Sequence, residues 1–169
     1  MNITRMGHVA LRVADLDRAV THATEVMGLR EVQRTGGTSY LTCNARHHEL
    51  LLIADTAPSL DHIGLEVERV ADLEQAQTQL VRAGVKVLSE QPGEEGITHA
   101  IRFVGPGDFV FKLFTGMPQN QPVRYRTLGV RPRKFSHVSV KSNCKSELEQ
   151  FLTRVLGFRI SDRVGQHLS

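Results

Sequence analysis

Three histidines stand at equivalent places in apolar stretches that alternate in the manner of β-strands. His8 lies in MGHVALRV, His62 in LDHIGLEV and His137 in KFSHVSV. Imidazole is a common metal ligand and also transfers protons near neutral pH. In the first stretch, the two-residue period of a strand places His8 on the face opposite Val9 and Leu11. The histidines are therefore candidate functional groups that point away from an apolar face.

The histidines mark three copies of one sequence unit. The offset from His8 to His137 is constant along the closing stretch and needs no gap, so that Gly28 aligns with Gly157. A further copy begins at His62, with a small insertion before its glycine. Because internal repeats reflect repeated structural units, the three copies should share one local fold.

The unit is predicted to be βαβββ. After the first strand and a helix, the first copy should have strands at roughly 29–34, 38–43 and 47–54, and the second at roughly 86–90, 98–103 and 109–115. The third copy supplies a strand, a helix and a second strand, and reaches Ser169 about where the next strand should start. The fold class predicted from the repeat is α+β, built from βαβββ modules.

Each helix is predicted from an apolar stripe, a start signal and a terminal glycine. Asp15 is the expected N-cap of the first helix, and Ser146 and Glu149 have capping-box spacing in the third copy. A glycine at the left-handed C-terminal position should end each helix. The stripes expected in the core are Leu16, Ala19, Val20, Ala23 and Met27 in the first copy, and Leu148, Phe151, Leu152, Val155 and Leu156 in the third.

The repeat also predicts the domain organisation. A first domain should cover residues 1–116, as modules 1–56 and 57–116, followed by a proline- and arginine-containing linker at 117–133. Residues 134–169 should begin a second domain. The apolar stripe of that segment must be covered by the first domain, by a second copy of the chain or by residues outside this sequence. The repeat favours the last of these and, failing that, a homo-oligomer formed through the segment.

Composition limits the classes of partner. The formal charge of the 169 residues is +3, and no block of five or more like charges indicates a nucleic-acid or membrane tail. No apolar stretch approaches the roughly 20 residues needed to span a bilayer. Cys43 and Cys144 are far apart and fit no zinc spacing, so free thiols in a reducing compartment are expected. We therefore expect a soluble cytoplasmic protein with no nucleic-acid partner and no membrane association.

The order and spacing of several motifs resemble the vicinal oxygen chelate superfamily, and within it the two-domain type I extradiol dioxygenases. Besides the histidine strands, the motifs are HHELLLI, GPGDFVFKLF and VLGFRISDRVG. The resemblance implies that the βαβββ modules pair and form a curved, cup-like sheet. It also implies cleavage of a catechol-type aromatic diol by O₂ with Fe(II), or Mn(II) in place of iron. It also implies that the catalytic metal lies in the second domain, held by two first-strand histidines and a last-strand glutamate.

The resemblance assigns site residues one by one. His137 matches the first metal ligand of the second domain, and the other two would lie beyond Ser169. His8 and His62 match the corresponding histidines of a first domain that holds no metal, where Lys112 replaces the glutamate. An alternative metal triad is His8, Glu49 and His62, as in glyoxalase-type members. In an interpretation without metal, Lys112 could simply neutralise the cup, paired with Glu49.

Two further functions remain open. The chain could be a non-catalytic ligand-binding protein of bleomycin-resistance type, or a glyoxalase- or epimerase-type metalloenzyme that uses the first-domain cup. His47 and His48 match a pair that includes an acid–base histidine in the second domain of the family. Because neighbouring strand residues face opposite ways, only one can point into the cup, and a structural role is expected here.

Overall fold

The computed structural model describes residues 2–121 and 132–163, and these contain one mixed sheet with helices packed against it. No helix in that part of the chain is long and apolar enough to cross a membrane. The strands are β1 (Ile3–Val13), β2 (Arg30–Thr35), β3 (Thr38–Thr42), β4 (Leu50–Ala54), β5 (Ser59–Val67), β6 (Val87–Ser89), β7 (His99–Val104) and β8 (Val110–Thr115). The helices are α1 (Leu16–Thr21, continued by a π-helical turn His22–Val26), α2 (Val70–Arg82) and α3 (Lys145–Gln150, continued by a π-helical turn Phe151–Val155).

The described residues form two βαβββ modules joined through their first strands. The strand order is β2-β3-β4-β1-β5-β8-β7-β6, which reads as two equivalent halves on either side of the β1–β5 pair. β1 and β5 are antiparallel, whereas each pairs in parallel with the last strand of its own module, β4 or β8. The predicted βαβββ modules and open, curved sheet are therefore confirmed.

The helices cover the apolar face of the sheet. In the first module, Val20 and Ala23 pack with Leu41 and Leu52 in a buried cluster. In the second, one side of α2 joins a larger core built mainly from β5, β7 and β8. This arrangement leaves the opposite face of the central strands for polar side chains, because residues in a strand alternate between the two faces.

Most of the helix signals are confirmed. The Asp15 side chain accepts a hydrogen bond from the Arg18 amide at 3.0 Å, as an N-cap does. Gly28, Gly84 and Gly157 follow the helices with φ of 71°, 69° and 78°. Those values lie in the left-handed region, which glycine enters without a steric cost.

Two local expectations about the helices were wrong. Met27 is 45% exposed and does not continue the buried stripe of α1. The predicted capping box of Ser146 and Glu149 is not formed, because α3 starts two residues earlier, with Cys144 and not Ser146 at the N-cap. Ser142 instead supplies a hydroxyl oxygen that accepts a hydrogen bond from the Cys144 amide at 3.1 Å.

The third copy differs most from its prediction. Its helix is present, but residues 132–140 pair with no strand, although a strand was predicted there. The α3 segment packs on the core of the second module, so that Leu148, Phe151 and Leu156 are 7%, 8% and 1% exposed. The Phe151 ring lies 5.9 Å from the Phe111 ring, centre to centre. Of the three possible covers, the first domain of the same chain therefore buries these three residues, and neither a second copy nor residues outside this sequence are required for that.

Candidate functional site

Two of the predicted histidines meet at the centre of the sheet, on the polar face. In the β1–β5 register His8 pairs with Gly64, and Ala10 pairs with His62. The Nε2 atoms of His8 and His62 are 2.9 Å apart, and the two side chains are almost fully buried. A Cβ atom at Gly64 would lie 2.4 Å from Cε1 of His8. Glycine at this position therefore provides the space that the His8 ring fills.

A carboxylate from a loop completes this group. Glu94 lies between β6 and β7, and its side chain is only 8% exposed. Its Oε1 atom is 2.9 Å from Nε2 of His62, and its Oε2 atom is 3.3 Å from Nε2 of His8. The loop is held over the sheet, because the Glu95 amide donates to the Tyr40 hydroxyl at 3.3 Å.

His48 is the third imidazole of the cluster. It lies just before β4, and its Nε2 atom is 3.8 Å from Oε2 of Glu94. Its Nδ1 atom is 2.9 Å from Nδ1 of His47, whose Nε2 atom is 3.2 Å from Oε1 of Gln33. The Tyr40 ring contacts the ring of His48 edge-on, with centroids 5.3 Å apart. His48 therefore has one nitrogen fixed by a neighbour and the other directed at Glu94.

Charged side chains flank the cluster on the second module. The Lys112 ammonium contacts Oε1 of Glu94 and donates to the Pro92 carbonyl at 2.7 Å. The Asp61 carboxylate accepts a hydrogen bond of 2.7 Å from Nδ1 of His62. Two guanidinium groups hold Asp61 in turn, with contacts of 2.5 Å from Arg12 and 2.6 Å from Arg102. Glu94 and Asp61 thus each have a positively charged partner, which offsets the cost of burying their charge.

Burial controls the ionisation of the cluster. It lowers the pKa of His8 well below its ordinary value, and it lowers the pKa of His48 as well. For Glu94 burial opposes ionisation, but interactions with His48 and His62 outweigh it and hold the pKa far below the usual range. Burial lowers the pKa of Lys112 more than the neighbouring Glu94 carboxylate raises it. The cluster therefore presents neutral His8 and His48 rings to an ionised carboxylate.

The donor atoms fit a divalent transition metal. His8, His48 and Glu94 each offer a ligand atom, and these atoms lie within 4.8 Å of one another. His48 Nε2 and Glu94 Oε2 are buried and have no hydrogen-bond partner among the described residues. Two imidazoles and one carboxylate form a common ligand set for Fe(II) and Zn(II), and Mn(II) favours the carboxylate.

The alternative triad of His8, Glu49 and His62 is brought together only in its histidines. The Glu49 carboxylate instead accepts hydrogen bonds from Asn44 Nδ2 at 2.8 Å and from Cys43 Sγ at 2.7 Å. The reason lies in the backbone, because β4 begins at Leu50 and not at residue 47 as predicted. The prediction that Glu49 pairs with Lys112 was also wrong, since Lys112 pairs with Glu94.

His137 lies apart from this cluster and is exposed. Its Nδ1 atom is 3.0 Å from the Ser136 hydroxyl. It borders a cavity of about 290 Å³ between the third copy and the central strands, whose described lining is almost entirely apolar. The described lining of that cavity has no second imidazole and no carboxylate, so it offers only His137 as a metal ligand.

Glu94 and His48 were not predicted as site residues. The pair His47-His48 was expected to be structural, and no role was predicted for the stretch QPGEEG, which contains Glu94. A weak signal was present, because two adjacent glutamates stand between glycines at Gly93 and Gly96 in the module that also carries His62. Nothing local in that loop indicates that one carboxylate turns inward, since contacts with the other module hold it there.

Two curated relatives align with almost the whole chain. The protein named "Manganese-dependent 2,3-dihydroxybiphenyl 1,2-dioxygenase" from Geobacillus genomosp. 3 is 32% identical over 176 residues, which cover 96% of this chain and 56% of that relative. The protein named "Metapyrocatechase" from Pseudomonas sp. (strain CF600) is 27% identical over 176 residues, covering 96% of this chain and 57% of that relative. The chain therefore spans little more than half the length of these relatives.

Solved structures with a similar fold include a glyoxalase and a 2,3-dioxygenase. The Mn(II)-bound glyoxalase from Novosphingobium aromaticivorans superposes with a TM-score of 0.86, at 24% identity, over 98% of this chain and 56% of that chain. The 2,3-dioxygenase from Pseudomonas sp. KL28 gives a TM-score of 0.81 at 22% identity, over 93% of this chain and 59% of that chain. Residues 5–113, which contain both modules, match the family described as "Glyoxalase/Bleomycin resistance protein/Dioxygenase superfamily", and the chain belongs to that superfamily.

Proposed function

We propose that the protein acts in extradiol ring cleavage, in which O₂ opens a catechol-type aromatic diol beside its two hydroxyl groups. The observation that carries the proposal is the 32% identity, across 96% of the chain, to a protein named as a manganese-dependent 2,3-dihydroxybiphenyl dioxygenase. The likeness in fold to a 2,3-dioxygenase supports the same class of reaction. Because the chain spans 56% of that relative, the activity is proposed for the whole protein to which this chain belongs.

The proposed catalytic metal is Fe(II), or Mn(II) in its place, with His137 as one ligand in a second domain beginning at residue 134. When bound by two imidazoles and one carboxylate, such a metal keeps open positions at which both oxygens of a diol can coordinate. The exposed position of His137 beside the central strands is compatible with this role. Residues 1–116 would then serve as the first domain and residues 117–133 as the linker.

The proposal also covers the cellular compartment and the oligomeric state of the enzyme. A reducing cytoplasmic compartment is part of the proposal, since Cys43 and Cys144 lie far apart in the sequence and fit no zinc spacing. We also propose that the enzyme is a homo-oligomer. The apolar stripe of α3 does not support this, because the same chain buries it. Sedimentation of the purified protein tests this directly, and a monomer at micromolar concentration would contradict it.

The activity test uses the 169-residue chain and the longest natural protein that contains it. Each is reconstituted anaerobically with Fe(II) or Mn(II) and mixed with 2,3-dihydroxybiphenyl or catechol, and the yellow ring-opened product is followed with O₂ uptake. In a protein with all three implied ligands we expect one O₂ per ring opened, loss of turnover in His137→Ala and no loss in the matched control His99→Ala, which removes an exposed imidazole. The 169-residue chain alone, which carries one of the three ligands, should show no turnover.

Two outcomes would redirect the assignment. Turnover that survives His137→Ala but disappears in His62→Ala would favour the first-domain cluster as the reactive site, as in a glyoxalase-type metalloenzyme. Binding of aromatic ligands without any turnover or metal dependence would favour a non-catalytic binding protein. Either result would contradict the assignment of the reaction to His137.

A further inference from the structure

We propose that the side chains of Asn44 and Glu49 form a latch, which holds residues 133–135 against the first module and so positions His137. Both side chains belong to the loop 43–49, which connects β3 to β4. Glu49 makes its contacts there and does not belong to the histidine cluster in the cup. The latch itself is independent of the reaction, whereas its effect on His137 rests on the ring-cleavage function proposed above.

The loop 43–49 is attached to the start of the predicted linker through the backbone. The His47 amide donates to the Pro118 carbonyl at 3.0 Å. The Asn120 amide donates to the Ala45 carbonyl at 2.6 Å. These bonds join main-chain atoms only, so they do not depend on the side chains that the loop carries. Variants of the latch should therefore leave the loop in place.

The latch attaches the other end of the linker through side chains. Asn44 Nδ2 donates to the Arg133 carbonyl at 3.3 Å. The Phe135 amide donates to Oε1 of Glu49 at 3.4 Å. Asn44 Nδ2 also donates to Oε1 of Glu49 at 2.8 Å, which joins the two contacts into one network. Because residues 132–140 pair with no described strand, side chains supply contacts that a sheet would otherwise provide.

Glu49 is a buried carboxylate that is held by neutral donors. It is 7% exposed, and no ion pair joins it to any described residue. Its oxygens accept from the Cys43 thiol at 2.7 Å, from Asn44 and from the Phe135 amide. Burial of a carboxylate without a cation is costly, so the loss of any of these donors is unfavourable. The carboxylate therefore holds the Phe135 amide, which belongs to a segment distant in sequence.

The latch and α3 hold the segment that carries His137 at two points. The latch binds residues 133–135 to the first module, and the apolar side chains of α3 pack on the second. His137 lies between these attachments, beside the cavity of about 290 Å³. Its ring contacts the adjacent Ser136, which moves with it and cannot fix its position. The latch therefore controls where this imidazole lies relative to the first domain.

Three variants of the latch and one control separate its effect from a general loss of stability. Asn44→Asp keeps the oxygen that accepts from the Arg46 amide at 2.8 Å, but turns the donor group into a second acceptor. This variant should repel Glu49 and release Arg133. Glu49→Leu removes the acceptor, whereas Glu49→Gln keeps an acceptor oxygen without the charge. Glu25→Leu makes the same replacement at an exposed position and is the matched control.

The first experiment measures hydrogen exchange of the Phe135 amide in the 169-residue chain by nuclear magnetic resonance. Exchange should be about tenfold faster or more in Asn44→Asp and Glu49→Leu, within about threefold of the parent in Glu49→Gln, and unchanged in Glu25→Leu. The amides of β1 and β5 are an internal reference and should exchange as in the parent. If Glu49→Leu does not fold, Asn44→Asp decides alone. Unchanged exchange of Phe135 in every folded latch variant would overturn the proposal.

The second experiment tests the effect on His137 in the longest natural protein that contains the chain. With Fe(II) or Mn(II) and catechol, turnover should fall about tenfold or more in Asn44→Asp and Glu49→Leu, because a misplaced group slows the reaction. Glu49→Gln should recover most of the turnover that Glu49→Leu loses. Equal turnover in all variants would overturn the positioning of His137. Absence of ring cleavage in the parent would contradict the proposed function, and the exchange rates would still decide the latch.

Discussion

Replacing Gly64 with alanine should destabilise the chain through its contact with His8, and removing His8 should abolish that effect. A Cβ atom at position 64 would lie 2.4 Å from Cε1 of His8 and 2.6 Å from Nε2. Both residues are in the central pair of strands, where neither backbone can withdraw without breaking ladder hydrogen bonds. The His8 ring must therefore move, or the two strands must separate.

The magnitude follows from two opposing terms. Overpacking a well-filled interior costs about 1–3 kcal/mol. Glycine in a strand is itself less favourable than alanine by about 0.5–1 kcal/mol, which offsets part of that cost. We expect Gly64→Ala to lower the free energy of unfolding by about 1–2 kcal/mol. In a His8→Ala background the same change should be neutral or slightly stabilising, which gives a coupling energy of about 1–3 kcal/mol between the two positions.

The assay is a double-mutant cycle by urea unfolding, followed by circular dichroism in the presence of a chelator. The four proteins are the parent, the two single variants and the double variant, with similar m-values required for comparison. Additive effects, within about 0.5 kcal/mol, would refute the reasoning. That result would mean that the His8 ring does not lie over Gly64 in solution.

Two further perturbations test other parts of the structure. Phe151→Ala should lower the free energy of unfolding by about 3–5 kcal/mol, because it removes a buried ring. Ile160→Ala, at a 49% exposed position, is the control and should change it by less than about 0.5 kcal/mol. Equal effects of the two variants in urea unfolding would contradict the packing of α3. Without metal, the free energy of unfolding should fall as the pH decreases through about 6.5, because the lowered pKa values of His8 and His48 mean that only the unfolded chain takes up these protons there. The free energy of unfolding should change with pH by at most about 1.4 kcal/mol per pH unit for each ring, and by less in His8→Gln than in the parent. Urea unfolding of both proteins at about pH 7.5 and about pH 5.5 measures these two slopes, and equal slopes would contradict the prediction.

The modules could be predicted from the sequence because their signals are local. The two-residue period of β1 and β5, the Asp15 cap and the glycines after the helices each depend on residues close together in the chain. The third copy shows the limit of that reasoning. Residues 134–140 have the strand pattern, but a strand needs a partner, and no described neighbour provides one.

The site could be predicted only in part. That His8 and His62 occupy equivalent strand positions followed from the repeat, and that they share one cup followed from the resemblance to proteins with paired modules. The carboxylate could not be predicted, since Glu94 is placed by contacts distant in sequence, from Lys112 to the Pro92 carbonyl and from the Glu95 amide to Tyr40. The alternation of side chains along a strand did not predict the position of His48 either, because the backbone before β4 is irregular.

The pairing of His8 with Gly64 also specifies how the two modules align. A strand can slip by two residues and still keep its apolar side chains on the same face, so burial alone does not prevent such an error. Slips of that size along β5 would place either His62 or Glu66 opposite His8, where the register now has glycine. Both put a side chain into the space that the imidazole occupies. The polar centre of the sheet thus discriminates against misaligned modules, a task that the interchangeable valines and leucines of the core cannot perform.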